Sequence, residues 1–122
     1  VAAAIEKNKP QEPLTPAMFH VLLALAGGDL HGYAILKDVE MRTEGKLRLS
    51  TGTLYGIIKR LLADGLIVEL RVRPPEEQDD ERRRYYRLTN TGRQAATAEA
   101  ERMDEMVAAA RARNLLRKPK IA

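Results

Sequence analysis

The stretch STGTLYGIIKRLLADGL, residues 50–66, sets Leu54, Ile57, Ile58, Leu61 and Leu62 at i, i+3, i+4, i+7 and i+8. That spacing is one apolar face of an α-helix. Ser50 or Thr51 offers a capping hydroxyl at its start, and Gly65 stands just past its last turn, where a left-handed residue ends many helices. The opposite face carries Gly52, Gly56, Lys59, Arg60 and Ala63, flanked by Thr53 and Tyr55. No acidic residue falls between Lys46 and Ala63. An apolar back with a small, hydroxylated and basic front suits insertion into a DNA groove. The solvated side of any amphipathic helix has similar ingredients, so the flanking sequence has to separate the two.

Upstream, Thr15-Pro16 combines a capping hydroxyl with proline at the first helical position. Met18, Phe19, Leu22, Leu23, Leu25 and Ala26 form a wide apolar stripe expected to be mostly buried, and Gly27-Gly28 closes that helix. Asp29 is expected to cap a second helix over roughly 30–43, with Ile35, Leu36 and Val39 inward and Tyr33 and Lys37 together on one side. Gly45 breaks it, and KLRLS (46–50) alternates basic and apolar residues as a short strand does.

Downstream, Val68, Leu70 and Val72 alternate with Glu69, Arg71 and Arg73, the pattern of a half-buried strand. PPEEQDDE (74–81) is a proline-led polar loop, and RRRYYRL (82–88) resumes strand character, so the pair makes a long hairpin. Helix, helix, short strand, helix, hairpin is the order of a winged helix–turn–helix domain. Thr89 is placed to cap a last helix running to about Asn114, in which Ala96, Ala100, Met103, Val107 and Ala110 form a short heptad seam. From spacing alone, packing on its own domain is the slightly favoured use of that seam over packing on a second helix. The predicted fold is mostly α with a small β-hairpin (α+β). Its parts are an N-terminal arm (1–13), a winged helix–turn–helix domain (14–88), a long C-terminal helix (89–114) and a basic tail (115–122).

Composition narrows the function. The net charge is +4 with 44% hydrophobic residues, enough apolar content for a real core and a balance that favours a polyanionic partner. A second acid-free window, 106–122, holds Arg111, Arg113, Arg117, Lys118 and Lys120. With no cysteine and only two histidines, His20 and His31, thiol catalysis, disulfides and a His-rich metal site are excluded, and a cytoplasmic location is expected. No apolar run approaches the roughly 20 residues of a membrane-spanning helix, and VAAAI at the start is too short for a signal-peptide core. No Gly-rich phosphate loop, nucleophile elbow or metal spacing is present, so no enzyme activity and no cofactor are expected.

His31-Gly32-Tyr33, the segment LSTGTLYGIIKRL from Leu49, DGLI from Asp64 to Ile67, and YYRLTNTG from Tyr85 to Gly92 share their order and spacing with one family. Over roughly residues 14–113 the chain resembles the PadR family of bacterial transcriptional regulators. The resemblance implies a winged-helix homodimer that represses genes, dimerising through its last helix. It also implies a small-molecule effector, which in some members is held between aromatic side chains; this chain has no Trp and a single Phe for such a sandwich. Where the family usually reads LSPGTLYPAL, this chain has Thr51 and Gly56 in place of the two prolines.

In that context double-stranded DNA is the expected partner, and the candidate contacts divide into groups. Ser50, Thr51 and Thr53 lie at the recognition-helix N-terminus, the end that usually meets base edges. Tyr55, Lys59 and Arg60 follow on its outward side, and Tyr33 and Lys37 on the preceding helix are comparable phosphate contacts. Arg71, Arg73, Arg82, Arg83 and Arg84 in the hairpin are expected to approach DNA while EEQDDE (76–81) bends away; ion pairing within the hairpin is the competing use of the same arginines. Ala96, Ala100, Met103, Val107 and Ala110 are the expected dimer interface. The competing function is a winged-helix protein-interaction module without sequence-specific DNA binding, for which the acidic loop speaks.

Overall fold

The computed structural model describes residues 13–70 and 84–117. Helix α1 (Pro16–Ala26) begins where Thr15 accepts a hydrogen bond from the Met18 amide at 3.2 Å, with Pro16 filling a position that needs no amide partner. Met18, Phe19, Val21, Leu22, Ala24 and Leu25 are buried. Leu23 and Ala26, expected in the buried stripe, are exposed, and Val21 and Ala24 take inward positions instead. The helix is so uniformly apolar that spacing alone does not select its inner face.

Leu30–His31 form a two-residue strand, β1, that the sequence pattern does not announce. It lies antiparallel to the later strand β3 (Tyr85–Leu88), with Leu30 opposite Tyr86 and His31 opposite Tyr85. This pairing delays the second helix, so α2 spans Gly32–Arg42 and its cap is His31 rather than Asp29. The His31 Nδ1 accepts from the Ala34 amide at 3.2 Å. Asp29 is left to grip the Arg87 guanidinium on β3, the shortest contact being 2.7 Å.

Between α2 and the next helix, the Thr43 hydroxyl donates to the Val39 carbonyl at 2.9 Å and accepts from the Leu47 amide at 3.1 Å. Glu44 and Gly45 turn the chain with φ of 53° and 78°. The KLRLS segment is not a strand. Its alternation does separate half-buried Leu47 and Leu49 from exposed Lys46, Arg48 and Ser50, but among the described residues no strand pairs with it, and the Leu47 amide is committed to Thr43.

Helix α3 (Thr51–Ala63) buries Leu54, Ile58 and Leu61, with Ile57 and Leu62 packed against the same core. It ends as anticipated: Gly65 takes φ 73°, and the Leu66 amide reaches back to the Leu61 carbonyl at 2.9 Å. Strand β2 (Ile67–Leu70) pairs antiparallel with β3, Ile67 opposite Leu88 and Leu70 opposite Tyr85, giving a sheet of order β1-β3-β2. The expected hairpin is therefore widened to three strands. Arg71, Arg73, Arg82, Arg83 and the acidic loop lie outside the described residues, as do residues 1–12 and 118–122.

Helix α4 (Asn90–Ala112) is capped by Thr89, whose hydroxyl accepts from the Gly92 amide at 2.9 Å. Ala95 and Ala96 pack against the core formed by α1, α2, α3 and the sheet. Among the described residues no helix is long and apolar enough to cross a membrane.

Candidate nucleic-acid interface

The outward side of α3 carries exposed Thr51, Gly52, Thr53, Tyr55, Gly56, Lys59 and Ala63. Ser50 is the cap: its hydroxyl accepts from the Thr53 amide at 3.0 Å and donates to the Thr53 hydroxyl at 2.9 Å. Of the two hydroxyls the sequence offers for that role, Thr51 is thereby left on the surface. Arg60 is half-buried, with its Nε 3.6 Å from the Asp64 carboxylate one turn on, so its charge is partly answered within the helix. Among the described residues nothing would meet a β-carbon within 4 Å at Gly52 or Gly56. Glycine in mid-helix costs up to ~1 kcal/mol relative to alanine, and at Gly56 no packing contact accounts for it. The result is a low surface between the flanking side chains.

On α2, Tyr33 is exposed and the Lys37 ammonium lies 5.4 Å from its ring centroid, so the two residues act as one amphipathic unit. They line a shallow groove of about 490 Å³ with Leu30, His31, Ala34, Asp38 and Met41. The His31 ring stands edge-on to Tyr85 at 5.2 Å and nearly parallel to Tyr33 at 6.5 Å. The start of α2 is thus held between the sheet and the tyrosine it presents.

The junction of the two helices depends on Gly32. A β-carbon there would stand 2.7 Å from the Tyr55 Oη, 3.3 Å from its Cζ and 3.5 Å from the Leu54 Cδ2. Gly32 is buried in an ordinary helical backbone, so what it supplies is space rather than conformational freedom. Burial pushes the Tyr86 phenol up from its usual range, and the Glu69 carboxylate and Tyr55 add to this while Arg84 opposes it.

Of the five wing arginines, Arg84 is the one within the described residues. It is exposed at the start of β3, with Nη1 3.7 Å from the Glu69 carboxylate across the sheet. Ion pairing within the wing therefore exists at this position. Lys46 and Arg48, exposed in the segment leading into α3, are bases of the acid-free window that begins at Lys46 but are not among the contacts expected from sequence. Arg48 is 3.6 Å from Glu40. Among the described residues no group of three or more His, Asp or Glu side chains could hold a metal ion.

The residues expected at a dimer interface divide along α4. Ala96 packs on its own domain and Ala100 is exposed. Met103, Val107 and Ala110 are partly covered, with Met106 exposed beside them.

Comparison with known proteins places this arrangement. Residues 21–98 match the transcriptional regulator PadR-like family. The chain is 45% identical over 87 residues to an uncharacterized 37.1 kDa protein in transposon TN4556 of Streptomyces fradiae; this is 71% of the chain but spans only 23% of that protein. It is 39% identical over 88 residues to the transcriptional regulator Rv3488 of Mycobacterium tuberculosis, covering 71% of this chain and 75% of that one. A PadR family transcription regulator from hypervirulent Clostridium difficile R20291 has a similar structure, with a TM-score of 0.63 at 26% identity over 77% of this chain and 93% of that one. The matched span holds the paired helices, the strands and both the HGY and LSTGTLYG segments, and the chain belongs to the PadR-like family of transcriptional regulators.

Proposed function

We propose that the chain is a DNA-binding transcriptional repressor that acts as a homodimer on a near-palindromic operator. The observation that carries this is that exposed Thr51, Thr53 and Lys59 on α3 and exposed Tyr33 and Lys37 on α2 belong to two helices that meet at Gly32 and Tyr55, with no acid between Lys46 and Ala63. In this reading Thr51 and Thr53 meet base edges at the helix N-terminus. Lys59, Arg60, Lys37 and the Tyr33 hydroxyl grip phosphates, which positions the protein without reading sequence. Arg84 adds a phosphate contact from the wing, in exchange for its pairing with Glu69. Ser50 contributes through its cap.

Dimerisation through α4 draws on the exposed Met106 and the half-covered Met103, Val107 and Ala110, apolar residues on a helix whose partner surface is incomplete within one chain. A two-fold axis there sets two recognition helices about 34 Å apart, one turn of DNA. Relief by a small molecule belongs to this reading through family membership. Two measurements test it. Solution mass at micromolar concentration should correspond to two chains, and Met106→Glu should shift it toward one. A gel shift with random duplex at low salt should show binding; a protein-interaction module would show none.

A further inference from the structure

Tyr55 lies on the candidate DNA face with its ring half exposed, yet its hydroxyl end is directed at the first residue of α2. The contact is close enough that the smallest side chain at Gly32 would collide with it, at 2.7 Å. The neighbouring contact, Leu54 Cδ2 at 3.5 Å, comes from the adjacent residue of α3, so two consecutive side chains seat the start of α2 on the first turns of α3. Immediately beyond Gly32 stands Tyr33 with Lys37 over its ring. Two parts of the face, α3 and the start of α2, therefore meet at one phenol.

We infer that Tyr55 is a positioning residue: its phenol, lodged against Gly32, sets the spacing and angle between α2 and α3 and so keeps Tyr33 and Lys37 in phase with Thr53 and Lys59. This rests on the proposed DNA contact by those four residues. The glycine of the HGY segment is then half of the device, because a β-carbon there would push the end of the phenol aside. A ring that fills space, rather than a hydroxyl that grips phosphate, carries the effect.

The test uses the full chain and the variants Tyr55→Phe, Tyr55→Ala, Gly32→Ala and the double Gly32→Ala/Tyr55→Ala. Affinity for random duplex DNA is read across a salt series, and thermal unfolding is read without DNA. Tyr55→Ala should lose about ten-fold in affinity and flatten the salt slope by up to about one unit, since Lys37 no longer reaches its phosphate. Tyr55→Phe should restore most of that loss. A phenylalanine as weak as alanine places the hydroxyl on phosphate and overturns the inference. Gly32→Ala should lower the unfolding temperature by several degrees beside Tyr55, and in the Tyr55→Ala background it should be neutral or raise it. Equal effects in both backgrounds also overturn the wedge, whether or not DNA binds. Absence of duplex binding by the unaltered chain would remove the DNA-binding function while the unfolding cycle still judged the wedge.

Discussion

A β-carbon on Gly92 would stand 1.9 Å from the Leu66 carbonyl oxygen, so the first turn of α4 rests directly on the turn that ends α3. Two hydrogen bonds hold the two together, and a third caps α4. The Thr89 amide donates to that same Leu66 carbonyl at 3.1 Å, and the Thr89 hydroxyl donates to the Gly65 carbonyl at 2.7 Å while accepting from the Gly92 amide at 2.9 Å. The helix proposed to dimerise is thus fixed to the exit of the helix proposed to read DNA, and the dimer can set the spacing of the two recognition helices. Gly92→Ala forces backbone against backbone, and neither side can yield without breaking the Thr89 bonds. A loss of about 3 kcal/mol is expected, measured by urea unfolding; a change within about 0.5 kcal/mol, the range of an unremarkable surface substitution, would contradict the fit.

The cap of α3 separates two neighbouring hydroxyls. Ser50→Ala should cost about 1 kcal/mol of stability, because the Thr53 amide loses its acceptor. Thr51→Ala should leave stability nearly unchanged and weaken DNA binding in a sequence-dependent way. Reversed effects in unfolding and binding titrations would exchange the two roles.

His20 on α1 links folding to pH. Its Nδ1 lies 3.2 Å from the Arg42 Nη1 and its carbonyl accepts from the Arg42 Nη2 at 2.8 Å, while Asp38 holds the Arg42 Nε at 2.6 Å. Glu44 and Lys46 line the same cleft. Burial, and then the Arg42 charge, hold the imidazole below its usual 6.5. As pH falls below 6.5 the unfolded chain takes up the proton first, so stability declines with acidification and levels off below the folded-state value. Replacement by glutamine should flatten this segment of the stability–pH curve. Equal slopes for both proteins would exclude His20 as the source.

Lys59 is an exposed cation on the outward side of α3. Lys59→Ala should weaken specific and random DNA alike and reduce the salt slope by about one unit. Unchanged affinity and slope would remove it from the contact surface.

Much of this was readable from residues 50–66, and the reasons are local. The Ser50 hydroxyl, the five apolar positions and Gly65 bound α3 because caps and periodicity act within a few residues of each other. What failed depended on distant partners. Leu30–His31 is a strand only because Tyr85 and Tyr86 lie alongside it, and that pairing shifts the α2 cap from Asp29 to His31. KLRLS has a strand's alternation without a strand's neighbour. At the site, the exposed basic and hydroxyl residues were visible as a pattern, whereas the close approaches at Gly32 and Gly92 arise from tertiary contact. A glycine in sequence does not say whether it serves a turn, a surface or a neighbour's side chain.

The most direct measurement is the affinity of the full chain for duplex DNA as salt rises between roughly 50 and 200 mM, followed by fluorescence anisotropy. Phosphate contacts by Lys37, Lys59, Arg60 and Arg84 require log affinity to fall with log salt at a slope of about −3.6 for each chain engaged, near −0.9 for each phosphate neutralised. A chain that does not bind duplex at the low end of that range, or whose affinity is flat across it, does not use this face on DNA.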